Sequence, residues 1–200
     1  MTRTIGYVDG VKADVVIGDS IGGARLLTEQ LIKLGHRRIA INNEPNSVSS
    51  ARDRLRGFIE TLHSHHIEPH PQLVIESNYK RSGGHRAIQQ LLSLPPDQRP
   101  TPIVAGNNSL CIGIIEGLRE AELRVPEDMA LVCFDDIEWA SAIYPFLTVV
   151  SQPARTFGTV AAQFLLERLD SPDSWQPRKT VLAAEMTVRI SCGAQLGLHR

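Results

Sequence analysis

The chain has 200 residues, of which 42% are hydrophobic and 22% are charged, and its formal net charge is −1. This balance is typical of a globular protein with an ordinary core, and it excludes disordered chains and small folds held together by disulfides or metals. The near-zero net charge also excludes a basic field over the whole chain, so these residues are not expected to bind nucleic acid through its phosphates.

Short segments rich in β-branched residues alternate with longer amphipathic segments along the chain. Apolar runs predict buried strands, in chain order, at residues 14–17, 38–41, 73–76, 103–105, 129–133, 147–150 and 180–190. Apolar residues at helical spacing predict helices at 21–34, 55–62, 87–92, 110–121 and 154–169. Strands separated by single helices predict an α/β fold with a mostly parallel sheet that helices cover on both faces.

The sequence shows neither a membrane span nor a secretory signal. Its longest apolar stretches, such as 129–134, are far shorter than the roughly 20 residues that cross a bilayer. The residues after Met1 lack the charged and apolar regions of a signal peptide, so we expect a cytoplasmic protein. The cysteines, Cys111, Cys133 and Cys192, form no C-x-x-C pair, which fits a reducing compartment.

Polar side chains follow four of the predicted strands. These loops are residues 42–56, 77–79, 106–108 and 135–136. Ligands of parallel sheets collect at the carboxyl ends of strands, where loops meet helix N-termini. The loops supply a guanidinium, an aromatic face, amides and carboxylates, a set of groups suited to a small polar ligand.

Five motifs in order give the chain a resemblance to a known family. They are residues 32–40, 50–58, 125–136, 144–153 and 188–191. Together they resemble the effector domain of LacI/GalR-type transcriptional regulators. The resemblance implies a periplasmic-binding-protein-like (type I) fold, in which two α/β lobes close on a sugar or a nucleobase-like effector. It also implies a helix-turn-helix headpiece that binds operator DNA and precedes this domain.

The resemblance further implies how the chain divides into lobes. Residues 18–152 with 178–191 are expected to form a complete C-terminal lobe, and residues 192–200 a tail. Residues 1–17 and 153–169 are expected to be remnants of an N-terminal lobe that is mostly missing. Operator DNA would then be contacted only through an absent headpiece, and the helix at 154–169 would expose an apolar face.

The same resemblance implies a set of effector-binding residues, Asp9, Ser50, Arg54, Tyr79, Asn107 and Asp135. Arg54 matches the main effector arginine, Asp135 a carboxylate that accepts from hydroxyls, and Tyr79 an aromatic that stacks on the ligand. Judged by spacing alone, Arg54 is better explained as a solvated helix charge than as a ligand-binding residue, and the resemblance reverses that preference. The alternative for Asn107 is a helix N-cap. The family usually has Asn-Asp where this chain has Asn107-Asn108, so one negative charge beside the cleft is lost.

Two further residues, Asp136 and Gln152, are expected to have other roles. Asp136 is expected to cap a helix at 137–142, and Gln152, at a crossover between the lobes, is read as a hinge residue. A histidine cluster (His63, His65, His66 and His70) lacks carboxylate or cysteine companions at ligand spacing, so no metal site is expected there.

The expected function is effector sensing without catalysis, without a cofactor and without a metal. By resemblance, a homodimer would form through helix 110–121 and segment 139–144. Two other classes stay open. One is a Mg²⁺-dependent phosphoryl-transfer enzyme that uses Asp135 and Asp136, and the other is a periplasmic sugar-binding protein.

Overall fold

The computed structural model describes residues 12–136, 147–170 and 176–194. The strands in this part of the chain are β1 (Val15–Gly18), β2 (Ala40–Asn43), β3 (Val74–Glu76), β4 (Pro102–Ala105), β5 (Ala130–Phe134), β6 (Thr148–Ser151), β7 (Lys179–Leu182) and β8 (Glu185–Thr187). Its α-helices are α1 (Ser20–Lys33), α2 (Ser49–Ser64), α3 (Arg81–Leu92), α4 (Asn108–Glu120) and α5 (Ala154–Asp170). Short 3₁₀ turns lie at Pro71–Leu73, Pro96–Gln98 and Ile190–Cys192.

Six strands form one sheet in the order β3-β2-β4-β5-β6-β8. All neighbouring pairs are parallel except β6 and β8, which are antiparallel. The chain passes from β2 outward to β3 and then returns to place β4 on the other side of β2. The strand order therefore reverses between β2 and β4, and a crevice at the carboxyl ends of these two strands is the expected ligand position.

The sheet separates two apolar cores because successive side chains of a strand point to opposite faces. Ile41, Val104 and Val132 lie in register across three strands and pack with α1 and α2. Ile103 and Leu131 lie in the neighbouring row and pack with α3 and α4. The predicted α/β fold, with a mostly parallel sheet covered on both faces, is thus confirmed.

Buried free cysteines lie in both cores. Cys111 and Cys133 belong to the core under α3 and α4, and Cys192 belongs to the core under α1 and α2. Burial raises the pKa of the Cys133 thiol well above its ordinary value, and the adjacent Cys111 adds to the shift. These buried thiols act as small apolar side chains.

Glycines allow the helices to pack closely in pairs. A Cβ on Gly113 of α4 would collide with the main-chain carbonyl oxygen of Arg81 in α3, and one on Gly84 of α3 would collide with the carbonyl oxygen of Leu110. A Cβ on Gly57 of α2 would likewise collide with the carbonyl oxygen of Ile21 in α1. Both helix pairs approach until backbone meets backbone.

A smaller unit is built from β1, β7 and α5. The two strands are parallel, with Val16 beside Thr180. Asp14 accepts a hydrogen bond from the main-chain N–H of Arg178 at 2.9 Å and pairs with Arg168 of α5 at 3.1 Å. The guanidinium of Arg178 lies 3.9 Å above the ring of Phe164. Polar contacts therefore join this helix to its strands.

The outer side of α5 is apolar and exposed. Leu165, Leu166 and Leu169 are all more than half exposed, and the helix contains no buried residue. This exposure agrees with the expectation for the helix at 154–169. Within the described ranges, no helix combines the length and the apolar character needed to span a bilayer.

The segment predicted as a single strand at 180–190 differs from the structure. It forms β7, which pairs with β1, and β8, which pairs with β6 of the larger sheet. The chain leaves one sheet and joins the other within two residues, Ala183 and Ala184. The division of the chain into two lobes stays a prediction.

Candidate functional site

Arg54 lies at the reversal of strand order, buried at the centre of a polar cluster. It projects from the second turn of α2 and is only 1% exposed. Its Nη1 donates to the main-chain carbonyl of Gly106, which directly follows β4. The guanidinium carbon also lies 4.4 Å from the ring centroid of Phe134, at the end of β5. Arg54 therefore joins elements that follow three neighbouring strands.

A buried carboxylate compensates the charge of this arginine. Glu44 directly follows β2, is 2% exposed, and places its oxygens 3.4 and 3.5 Å from Nη1 of Arg54. The side-chain amide of Asn107 donates to the same carboxylate. Asn107 also accepts from the main-chain N–H of Leu110 at 2.9 Å, so it is both the N-cap of α4 and a member of the cluster.

One edge of the Arg54 guanidinium has no hydrogen-bond partner in the part of the chain that the structure describes. Nε and Nη2 are buried and make no hydrogen bond to any described residue. A buried charged donor without an acceptor is costly, and native proteins keep such groups for a ligand, a water or a mechanism. The free edge offers two parallel N–H donors, the geometry that suits a ligand with two neighbouring oxygens.

Two asparagines at the end of β2 support the floor of the crevice. The amide of Asn43 donates to the carbonyl of Ala51 at 2.7 Å, and that of Asn42 donates to the hydroxyl of Ser77 at 2.8 Å. A Cβ on Gly106 would lie 2.6 Å from Oδ1 of Asn43, so glycine is needed for this close approach. The carboxyl ends of β2, β3 and β4 are thereby joined.

Asp135 follows β5 and has a left-handed backbone with φ of 67°. Its N–H donates to the carbonyl of Val150 at 2.8 Å, and its Oδ1 accepts from the side-chain amide of Gln152 at 2.9 Å. Gln152 follows β6, at the crossover toward α5. Gln152 was predicted as a hinge residue, and the structure gives it direct contact with a predicted effector-binding carboxylate.

Tyr79 lies in the loop between β3 and α3, and its side chain is 44% exposed. Partial burial raises the pKa of its phenol, the negative charge of Glu44 raises it further, and Arg54 opposes the shift. Tyr79 follows β3, at the same end of the sheet as the charged pair. An exposed ring beside buried donors suits stacking on a bound ring.

Asp136 turns to a different partner from Asp135. Its oxygens accept from Arg189 at 2.6 and 3.2 Å, which ties the end of β5 to the segment after β8. The helix that Asp136 was predicted to cap, at 137–142, lies outside the described residues. The described residues contain no group of three or more His, Cys, Asp or Glu side chains that could hold a metal ion.

The structure brings some of the predicted site residues together. Arg54 and Asn107 share Glu44, and Phe134 below Arg54 directly precedes Asp135. Ser50 is buried one helical turn before Arg54 on α2. Asp9 lies outside the described residues.

Sequence reasoning did not single out Glu44 or Phe134. The signal that could have identified both residues is their position at the carboxyl end of a strand, where ligands of parallel sheets bind. Glu44 is the first residue after β2, and Phe134 is the last residue of β5.

Comparison with known proteins agrees with this geometry. Residues 28–192 match the model of the periplasmic binding protein-like domain. The chain is 34% identical over 180 residues to the probable opine utilization operon repressor of Rhizobium rhizogenes, an alignment that covers 86% of this chain and 90% of that protein. It is also 34% identical over 166 residues to the ribose operon repressor of Escherichia coli (strain K12), covering 83% of this chain and 50% of the repressor.

A solved structure gives the same result. The transcriptional regulator CelR in complex with cellobiose superposes with a TM-score of 0.85 at 32% identity, covering 93% of this chain and 57% of that chain. The chain thus spans about half the length of the ribose operon repressor and of this regulator. The matched domain, the identity and the superposition agree on one conclusion. The chain belongs to the LacI family of transcriptional regulators and carries their periplasmic binding protein-like domain.

Proposed function

We propose that this chain senses a small polar metabolite for a LacI-type regulator and that the metabolite binds at the Arg54 cluster. The observation that carries the proposal is the buried edge of Arg54 at the reversal of strand order, where two N–H donors have no acceptor among residues 12–136, 147–170 and 176–194. Asp135 and Tyr79 add an acceptor and an aromatic face at the same end of the sheet. The effector class is a sugar-like or nucleoside-like molecule.

The proposed mechanism is a shift between conformations. An effector held by Arg54 and Asp135 would also contact a second lobe, to which Asp9 is assigned, and would favour the closed arrangement. In a regulator, that closure changes the affinity for operator DNA. The names of the relatives support this role, since they are an opine utilization repressor and a ribose operon repressor.

The remaining parts of the proposal concern the whole protein. We propose a cytoplasmic homodimer in which α4 and the segment 139–144 contribute contacts, and operator DNA bound through a headpiece. Catalysis is not part of the proposal, because Asp136 pairs with Arg189 while Asp135 bonds Gln152. The two carboxylates are thus engaged separately, whereas the Mg²⁺ enzyme would need them to share an ion.

Ligand binding with an Arg54→Lys variant tests the proposal. The protein is screened against D-ribose, cellobiose and a set of nucleosides by thermal unfolding, since a ligand of the native state raises the Tm. Lysine keeps the positive charge beside Glu44 and loses the planar donor edge. We expect the affinity for the bound compound to fall by about tenfold or more.

Arg56→Lys is the matched control. Arg56 lies on the same helix, is exposed, and pairs with Glu60 at 2.7 Å. We expect its substitution to leave the affinity unchanged. Binding that survives intact in Arg54→Lys, or failure of the whole set of compounds to bind, would contradict the proposal.

A further inference from the structure

Glu44 has no role in the site predicted from sequence, yet its carboxylate is among the most buried charges of the described chain. It is 2% exposed and contacts two residues of the proposed binding cluster, Arg54 and Asn107. A carboxylate so deeply buried needs a charged partner, because its desolvation is otherwise unfavourable. Arg54 supplies that partner through Nη1 alone.

The contact with Glu44 neutralises the positive charge of Arg54 but occupies only one of its nitrogen atoms, Nη1. Glu44 neutralises the guanidinium from the Nη1 side, while Nε and Nη2 on the other edge have no partner in the described part of the chain. The site therefore offers two hydrogen-bond donors without a net positive charge behind them. Asp135 follows β5, the strand next to β4, and adds a further negative charge to this end of the sheet.

An anion and an uncharged diol respond differently to this arrangement. Both can present two neighbouring oxygens to a planar donor edge. An anionic group on that edge would share one buried guanidinium with the Glu44 carboxylate, and like charges repel more strongly in a region that excludes water. Two neighbouring hydroxyl groups accept the same hydrogen bonds without that repulsion.

We propose that Glu44 determines the charge of the effector: it excludes anionic ligands and restricts the site to an uncharged ligand that presents two neighbouring hydroxyl oxygens to Arg54. This inference rests on the proposed function, since it concerns the same arginine. It adds a residue, Glu44, that sets the charge of the group accepted at the free edge of Arg54.

Sulfate is the probe, because it is fully ionised at neutral pH and fits the edge of a guanidinium. Binding is followed by NMR through the Nε–H signal of Arg54, which is assigned by its absence in Arg54→Lys. We expect no response of this signal to sulfate in the wild-type protein. In Glu44→Gln, which keeps the shape and removes the charge, we expect sulfate to bind at least about tenfold more tightly.

Two control variants separate the contact from overall charge. Glu44→Asp keeps the negative charge and should keep sulfate out. Glu76→Gln removes an exposed carboxylate at the end of β3, a neighbouring strand, and should leave sulfate binding unchanged. An equal gain of sulfate affinity in Glu76→Gln would overturn the inference, because overall charge would then explain the effect.

The wild-type titration decides the question even if Glu44→Gln fails to fold, which circular dichroism would reveal. Sulfate that binds at Arg54 in the wild-type protein overturns the inference, and its exclusion supports it. The outcome is independent of the compound screen. Failure of every sugar and nucleoside to bind counts against the proposed function, whereas sulfate binding counts against the role of Glu44.

Discussion

Gln152 holds the carboxylate of Asp135 through a hydrogen bond of 2.9 Å from its side-chain amide. The two residues follow adjacent parallel strands, β5 and β6. A Cβ on Gly18, the last residue of β1, would collide with the side-chain oxygen of Gln152, so the same amide lies close against the smaller unit. Gln152 therefore connects a candidate ligand-binding group to the place where the chain leaves the main sheet.

Replacing Gln152 with alanine should weaken effector binding. Hydrogen bonds to charged groups contribute about 1.5–3 kcal/mol, and Gln152 is only partly buried, so a loss at the lower end of that range is expected. Because Gln152 positions Asp135, we expect the affinity for the compound found in the screen to fall by about tenfold. The same bond stabilises the free protein, so its Tm should fall by a few degrees. Isothermal titration measures the affinity.

Gln163→Ala is the control for this prediction. Gln163 makes the same kind of bond, to Glu167 at 3.0 Å, on the exposed side of α5. Its loss should leave the affinity unchanged. Equal affinities of Gln152→Ala and the wild-type protein would show that the hydrogen bond does not position Asp135 for the ligand.

The surroundings of two helical glycines predict opposite effects on stability when each is replaced by alanine. Gly113→Ala inserts a methyl group against the main-chain carbonyl of Arg81, so the helices must separate, at a cost of about 1–3 kcal/mol. Gly158 of α5 has open space around it, so Gly158→Ala should stabilise the protein by about 0.5–1 kcal/mol through helix propensity. Urea unfolding of both variants measures the change in the free energy of unfolding. A Gly113→Ala protein as stable as the wild type would refute the close packing of α3 against α4.

The raised pKa of the Tyr79 phenol predicts that the free energy of unfolding falls at high pH. Burial and then Glu44 raise the pKa of its phenol above 10.0, so the folded state favours the protonated form. The stability contributed by Tyr79 is therefore complete below pH 10 and is lost as the pH rises through the raised pKa of the folded state. The difference in phenolate absorbance between the wild-type protein and Tyr79→Phe gives this pKa directly.

The same titration in Glu44→Gln gives the sign of the electrostatic contribution. Removing the negative charge should lower the Tyr79 pKa toward 10.0, because Glu44 is one of the causes of the increase. A pKa that does not change would mean that Glu44 and Tyr79 do not share one electrostatic environment.

The periodicity of the sequence was sufficient to predict the main sheet and its helices. Buried strands such as β4 and β5 are continuous apolar runs, and helices such as α1 have apolar residues at regular spacing, so local pattern and tertiary position agree. The separation of β7 from β8 was not predictable in this way. Each strand is fixed by a partner far away in the chain, β1 or β6, and the sequence between them carries no turn signal.

The candidate site was predictable only in part, for a similar reason. Arg54 and Asn107 were found because a family motif marks their positions. Glu44 precedes a proline in a polar loop and reads as a solvent-exposed charge. Its burial depends on Arg54, ten residues later, which reaches it only because α2 runs back over the end of β2.

The three buried thiols can report when the interior of the protein becomes exposed. Two of them face the core under α3 and α4, and the third faces the core under α1 and α2. A thiol reagent added to the native protein can therefore react only when one side of the sheet has exposed its interior. The order in which the cysteines are modified would rank the two sides by how often each one opens, without any introduced label.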